Sequence, residues 1–422
     1  MFSSQSLAKQ LSFSAPSKHF LLAYSGGLDS HALLHALQPL TLKEDYTLRA
    51  IHINHNLQPE SKHWAKHCQI ICQALEIPCS VINLDLIVKK GDSLEAVARE
   101  ARYHAFQTAL KPQEALITAH HQDDQAETVL LNLFRGSGVS GLAAMPVVKN
   151  FANGTLYRPL LDVSRQSLNA YAQAASLSYI NDPSNHDQRF DRNFLRHNII
   201  PQLQQRWLGL NKTLTRTARL QGDARQILAR QAETDLALMV TPKTTVITIE
   251  SLKKLSWARQ KNCLHYWLQQ SHLPVPNEKT IIRILTEILD ARKDAQPRVQ
   301  WKGGEVRRYR QQLYALKPLT NIDLANQLIE WDLKEDLVLP IIQRYIPLKR
   351  LGKMKQRLQQ CPQTITIRFR QGGERLQLSE KYHKSVKKIL QEAGIPPWER
   401  AKIPLIYCGE KLVMIVFFPK SY

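Results

Sequence analysis

An apolar run, Phe20 to Tyr24, ends in Ser25-Gly26-Gly27-Leu28-Asp29-Ser30, and Leu33, Leu34 and Leu37 then recur at helical spacing. This reads as a buried strand, a tight turn and a helix. Two glycines at the turn give the backbone access to positive φ and close approach to a ligand. The helix start that follows offers unpaired N–H groups and the positive end of its dipole. Ser25 and Ser30 add hydroxyls, so the segment predicts an anion cradle at a strand's carboxyl end. A plain turn with a serine cap is the alternative, but it leaves Asp29 and the second glycine unexplained. No lysine follows Gly27, so this is not the Gly-x-x-x-x-Gly-Lys-Ser/Thr loop. Asp29 would repel a phosphate unless a cation stands between them, and Mg2+ suits that place.

Strands and helices alternate downstream. Leu48 to Ile53, Ser80 to Leu84 and Ala115 to Ala119 read as strands. Trp64 to Leu75, Leu94 to Ala109 and Asp124 to Phe134 read as helices. The pattern predicts an α/β domain with a parallel, doubly wound sheet that binds ligands beyond its carboxyl edge. From about Arg189 the texture becomes basic and helical. Trp257 to Leu268 and Ile281 to Leu289 supply more helix, and Trp301 to Leu316, with Gly303-Gly304, supplies a hairpin. Thr364 to Tyr422 has strand patterns at both ends, Leu412 to Phe418 among them, around a helix at Ser385 to Ala393. A chain of 422 residues is too long for one core. The expected divisions are an α/β domain with its helical connector (1–215), a mainly helical domain (216–350) and a small α+β domain (351–422).

A second polar cluster, His120-His121-Gln122-Asp123-Asp124-Gln125-Ala126-Glu127-Thr128, follows the fourth strand. A capping box of Asp124 and Glu127 would explain two of its residues. It would not explain His120, His121 and Asp123 in the same turn. The cluster could hold Mg2+, bind an ammonium group or supply a general base. Zinc is a rival for the histidines, but carboxylate-rich, thiol-free surroundings favour magnesium. The net charge is +21, which favours a polyanionic partner. Six scattered cysteines without Cys-x-x-Cys spacing argue against a disulfide framework or zinc ribbon and fit a reducing cytoplasm. Met1 to Ser17 lacks a signal-peptide core, and no run approaches the roughly 20 apolar residues of a membrane span.

Ser25 to Ser30 resembles the pyrophosphate loop (PP-loop) of the N-type ATP pyrophosphatases, which split ATP between its α and β phosphates. The segment His120 to Thr128 narrows the resemblance to the tRNA(Ile)-lysidine synthetases. Glu95 to Tyr103, Arg135-Gly-Ser-Gly138, Arg158-Pro-Leu-Leu161 and Asp182-Pro-Ser-Asn185 follow in that family's order, then Arg192-Asn193 and Arg196. His52-Ile-Asn54-His55 is similar to the segment that lies near adenine. Gly372 to Arg375, His383 to Lys388 and Ala393 to Arg400 resemble the accessory domain of the three-domain members. Residues 230 to 350 carry no quotable motif.

The resemblance implies a ligase with ATP and Mg2+ as requirements, and L-lysine and a CAU-anticodon tRNA(Ile) as partners. ATP would adenylate the 2-oxygen of the wobble cytidine, and lysine would then displace AMP from C2. It implies that Ser25, Gly26, Gly27, Leu28, Asp29 and Ser30 bind ATP and that Asp29 holds Mg2+. Asp124 or Glu127 would bind the lysine ammonium and take its proton. His120 and Asp123 are further substrate candidates. Arg99, Arg135, Arg192 and Arg196 are candidates for phosphate or substrate carboxylate, which a guanidinium fork suits. The alternative for each arginine is a solvated charge or an intramolecular pair. Lys384, Lys387 and Lys388, at helical spacing, are candidates for the tRNA backbone, and both later domains are expected to contact tRNA. The oligomeric state, a homodimer included, stays open. A tRNA thiolase using Cys68, Cys72 and Cys79 is the nearest rival; a tRNA-binding module with a degenerate loop is another.

Overall fold

The computed structural model describes residues 2–43, 46–88, 93–239, 245–292, 295–318, 323–352, 354–379 and 382–418. It divides into two units, Met1–Leu228 and Ala229–Tyr422. The first opens with α1 (Ser4–Ser14), where Ser3 and Ser6 cap each other reciprocally and Leu7 and Leu11 are buried. Then come β1 (His19–Ala23), α2 (Leu28–Lys43), β2 (Thr47–Asn54), α3 (Ser61–Ala74), β3 (Cys79–Asn83), α4 (Leu94–Ala109), β4 (Glu114–Ile117) and α5 (Gln122–Phe134). This is the alternation the apolar pattern predicts. After α6 (Val139–Leu142), the chain adds β5 (Val148–Phe151), β6 (Gly154–Tyr157) and α7 (Arg165–Ala174).

The strand order is β3-β2-β1-β4-β6-β5. All neighbours are parallel except β5, which turns back on β6. Successive residues of β1 point to opposite faces. Phe20 and Leu22 join Leu33, Leu34, Leu37, Cys68 and Cys72 on the side of α2 and α3. Leu21 joins Ile51, Phe106, Leu116 and Leu156 on the side of α4. A strand buried on both faces reads as one apolar run, which is why Phe20 to Tyr24 is so legible. From β1 the chain winds outward through β2 to β3, then crosses back to β4 on the other side of β1. The crevice between the ends of β1 and β4 is therefore the topological switch point, where open α/β sheets bind their ligands.

The connector comprises α8 (Asp191–Phe194), a π-helical turn (Leu195–Ile199), α9 (Ile200–Arg206) and α10 (Leu210–Ala237). Leu195, Ile200, Leu210 and Leu214 pack with Leu130 of α5. The connector is thus anchored to the helix that carries the second polar cluster.

The second unit takes in the end of α10 and continues with β7 (Val246–Thr248), α11 (Ile249–Lys253), α12 (Trp257–Gln270) and α13 (Glu278–Arg283). The expected hairpin is present as β8 (Arg298–Trp301), β9 (Gly304–Tyr309) and β10 (Gln312–Leu316). It belongs to a four-stranded sheet, β7-β10-β9-β8, that the helical pattern alone did not announce. Trp267, Ile284 and Leu313 are fully buried in the core between this sheet and the helices. The chain continues through β11 (Leu328–Glu330), β12 (Leu337–Leu339), β13 (Arg344–Ile346), α14 (Met354–Gln359), β14 (Ile365–Arg368), β15 (Arg375–Ser379), β16 (Tyr382–Ser385), α15 (Val386–Glu392), α16 (Pro397–Arg400), β17 (Leu405–Cys408) and β18 (Lys411–Ile415). The strands β11-β14-β17-β18 form the small α+β layer. Trp398, on α16, packs instead against the β9-β10 pair: it meets Tyr309 and Tyr314 edge-on, at 6.3 and 5.2 Å between centroids.

Two expectations need correction. Cys361 and Cys408 are joined in a disulfide, although cysteine spacing gave no reason to pair them. Pairing of β14 with β17 sets Ile365 opposite Cys408 and so brings the turn after α14 alongside. Lys384 also does not share a helix face with Lys387 and Lys388. It lies on β16, paired with Glu392, because Ser385 caps α15 and starts the helix after it. Among the described residues, no helix is long and apolar enough to cross a membrane.

Candidate active site

The loop after β1 is built around Gly26, whose φ is +81°. A Cβ there would stand 2.4 Å from Ile180 Cδ1 and 2.7 Å from Cys68 Sγ. The Ile180 N–H donates to the Gly26 carbonyl at 2.9 Å, so a later segment straps the loop. Ser25 Oγ lies 3.0 Å from Ser30 Oγ, which donates to the Gly27 carbonyl at 3.1 Å. Leu28 and Asp29 open α2, so its free N–H groups face the loop. Gly26→Ala should cost about 2–4 kcal/mol, from the left-handed backbone and the clash combined. Urea unfolding measures it; a change below about 0.5 kcal/mol would contradict this account of the loop.

Asp29 Oδ1 is buried and has no partner among the described residues. Its other oxygen lies 3.5 Å from His121 Nε2. His121 is the cap of α5: its N–H donates to Asp124 Oδ2 at 3.0 Å, while its Nδ1 lies 3.4 Å from the Asp124 amide nitrogen and 3.8 Å from Asp123 Oδ2. The capping box therefore falls one turn earlier than an Asp124–Glu127 box would, and Glu127 is released for another task. Burial works against the His121 imidazolium. Asp124, Asp29 and Asp123 outweigh it and hold the pKa above the ordinary value.

Glu127 is 1% exposed. Arg192 Nε donates to its Oε2 at 2.7 Å and Arg196 Nε to its Oε1 at 2.6 Å. Arg196 Nη2 also reaches Asp124 Oδ1 at 3.0 Å. The two arginines are four residues apart across the α8 junction with the π-helical turn, so both meet one helix face. Burial alone would raise the Asp124 carboxyl pKa. His121, Arg192 and Arg196 outweigh it and keep the group well below the usual carboxylate range. Asp123 is held by Asn211 Nδ2 at 2.9 Å and by the Arg165 N–H at 3.0 Å. Asn211, at the start of α10, had no sequence signal beyond lying in a helical stretch.

His120 turns the other way, to Thr118 Oγ1 at 2.8 Å. Burial pushes its pKa down to about 3; Asp124 opposes this, and the Arg158, Arg192 and Arg102 charges reinforce it. The folded pKa thus lies below the unfolded value of about 6.5. Its contribution to stability is complete above about pH 6.5 and is lost as pH falls from there toward 3. His120→Gln should flatten the fall of the urea midpoint over that interval; an unchanged slope would contradict an imidazole held neutral in the fold.

The remaining candidates are more exposed. Arg135 caps the end of α5 and pairs with Asp191 at 3.7 Å, both well exposed. Arg99 lies over the Tyr103 ring at 5.0 Å. Lys387 and Lys388 are exposed on α15. Cys68 and Cys72 are buried in the core behind the loop.

A glycine loop and a carboxylate–arginine cluster facing each other across a sheet's switch point define an ATP pyrophosphatase of the PP-loop class. Residues 2–203 match the family model described as the PP-loop domain. Residues 248–314 match the TilS substrate binding domain, in the stretch without a quotable motif, and residues 365–421 the TilS substrate C-terminal domain. The tRNA(Ile)-lysidine synthase of Coxiella burnetii is 40% identical over 419 residues, covering 99% of this chain and 92% of that one. That of Alkalilimnicola ehrlichii is 39% identical over 417 residues, covering 98% and 92%. The chain belongs to the tRNA(Ile)-lysidine synthase family. Among solved structures, the U34-tRNA thiolase NcsA from Methanococcus maripaludis, with its [4Fe-4S] cluster, is similar over 52% of this chain and 78% of its own. At 18% identity and a TM-score of 0.44, that likeness carries no argument.

Proposed function

We infer that the chain joins lysine to C2 of the wobble cytidine of a CAU-anticodon tRNA(Ile), with ATP consumed to AMP and pyrophosphate. The observation that carries the reading is the His121 bridge, 3.5 Å from Asp29 and 3.4 Å from Asp124. It ties the phosphate loop directly to a carboxylate cluster suited to an ammonium group. In the first step the cytosine 2-oxygen attacks the α-phosphorus, and the bond to pyrophosphate breaks. In the second the lysine nitrogen attacks C2, and the C2–O bond breaks with AMP as leaving group. A ring oxygen leaves poorly by itself; adenylation makes it a phosphate ester that leaves well.

Ser25, Gly26, Gly27 and Ser30 cradle the phosphates. No three His, Cys, Asp or Glu side chains among the described residues converge as a metal centre. The unpartnered Asp29 oxygen fits a single protein ligand to a Mg2+ otherwise held by phosphate and water. Bound there, Mg2+ would offset the negative charge of the phosphates. Asp124, kept ionised, serves as counter-ion to the lysine ammonium. Glu127 orients Arg192 and Arg196, whose remaining N–H groups suit the lysine carboxylate, and the proton that the ammonium loses on attack passes to water beside Asp124. The reaction belongs in the cytoplasm, with its ATP and tRNA.

The test is direct. With ATP, Mg2+ and a CAU-anticodon tRNA(Ile) transcript, radiolabelled lysine should become covalently attached to the RNA. No incorporation beside an active control enzyme would overturn the reading.

A further inference from the structure

Between Arg192 and Gly222 the chain carries six lysines and arginines and no carboxylate. Arg192 and Arg196 turn inward to Glu127. The other four, Arg206, Lys212, Arg216 and Arg219, are exposed. Among the described residues none of these four side chains forms an ion pair or a hydrogen bond. Helical spacing sorts the residues of α10 into two faces. On the inner face Leu210 and Leu214 pack with the cluster around Leu130, and Asn211, Thr215 and Ala218 are buried. On the outer face Lys212, Arg216 and Arg219 follow one another at steps of four and three residues. At about 1.5 Å per residue they span about 10 Å of solvent-facing helix. Like charges so spaced destabilise a helix slightly. The fold therefore gains nothing by collecting them, and a polyanion laid along the face would offset their repulsion.

The turn before the helix adds an aromatic side chain. Trp207 is 58% exposed and Leu208 92%. The Leu210 N–H donates to the Trp207 carbonyl at 3.0 Å, so the backbone of the turn is held while the indole stands in solvent. Position narrows the partner. Asn211 Nδ2 donates to Asp123 Oδ1 at 2.9 Å, so α10 starts against the cap of α5. Lys212 is the next residue, and the cationic face leads outward from the carboxylate cluster. The phosphates of ATP already have their donors in the loop after β1. A longer polyanion fits the rest: its reacting part sits in the crevice and its flank passes over α10. A row of phosphates suits the cations, and an unpaired base with a free π face suits the indole.

We propose that the outer face of α10 binds the anticodon arm of the tRNA beside the target cytidine. Lys212, Arg216 and Arg219, with Arg206 ahead of them, take backbone phosphates, and Trp207 stacks on an unpaired base of the loop. This rests on the function inferred above for the identity of the RNA. The surface positions the strand; it does no chemistry on it.

The experiment uses the full chain, the tRNA(Ile) transcript and its isolated anticodon stem-loop. The triple variant Lys212→Met/Arg216→Met/Arg219→Met puts good helix formers on an exposed face, so the fold is kept, as circular dichroism checks. Affinity for both RNAs should fall about tenfold or more, and the slope of log affinity against log salt should shrink by about two. Trp207→Leu should lower affinity about fivefold or more and leave the slope unchanged, because stacking releases no counterions. Lys111→Met, at the amino edge of the sheet just before β4, should change neither. Unchanged affinity and slope in the triple variant would overturn the proposal. So would a loss seen with the whole transcript but not with the stem-loop, or as large a loss of slope per charge in Lys111→Met. Unchanged affinity in Trp207→Leu would overturn the stacking role. A chain that shows these losses but never attaches lysine would overturn the proposed function and leave the RNA surface standing.

Discussion

Glu127→Gln should lower the free energy of unfolding by about 2–4 kcal/mol and slow lysine transfer by about a hundredfold or more. The amide has the shape of the carboxylate but not its charge. It leaves Arg192 and Arg196 facing a neutral group, and it turns an N–H2 toward one of them. Removing one member of a buried ion pair usually costs about 3–5 kcal/mol, because the surviving charge is left buried. Two features soften that here. The arginine side chains are 30% and 21% exposed, and Asp124 still holds Arg196. The effect on transfer comes from geometry, since guanidiniums free to swing no longer fix Asp124 or the substrate. Pyrophosphate release measured without lysine should change far less, because the phosphate loop is intact. Transfer at the wild-type rate in this variant would mean that lysine binds elsewhere.

β1, β2 and β4 are legible because most of their residues are buried, and the loop because two glycines end such a strand; β5 and β6, short and half exposed, have no such run and escape the sequence reading. The arginine clamp is not legible. Glu127 and its two partners are more than sixty residues apart in sequence. Their meeting depends on a π-helical turn that no residue pattern marks. His121 is visible in the sequence as one of a histidine pair, but its choice of face is a backbone property. It takes the cap position that Asp124 would otherwise fill, and that choice frees Glu127. Short strands are the other blind spot. β7 and β11 have three residues each, too few to show an alternating pattern. The helical reading of the middle region therefore found its helices and hairpin and left the sheet around them unseen.

Asp29→Asn should reduce tRNA-dependent AMP and pyrophosphate formation by about 10²–10³-fold, equivalent to about 3–4 kcal/mol of lost transition-state stabilisation. The same substitution should leave the urea midpoint nearly unchanged. These opposite expectations come from the two oxygens of one side chain. Oδ1 is buried without a partner, so in the free protein it destabilises the fold, and making the group neutral relieves part of that cost. Oδ2 contributes an ion pair with His121 at 3.5 Å, whose loss works in the other direction. Asp124 remains 3.4 Å from the same imidazole nitrogen and still supports it. Near-zero stability change with a large loss of adenylation is the signature of a group retained for catalysis at some cost to the fold. Asp29 then matters only when phosphates and a cation are present, since the buried oxygen acquires its partner on loading. Adenylation within fivefold of wild type in Asp29→Asn would remove the residue from the phosphate chemistry. It would leave the loop's glycines and serines to carry that chemistry alone.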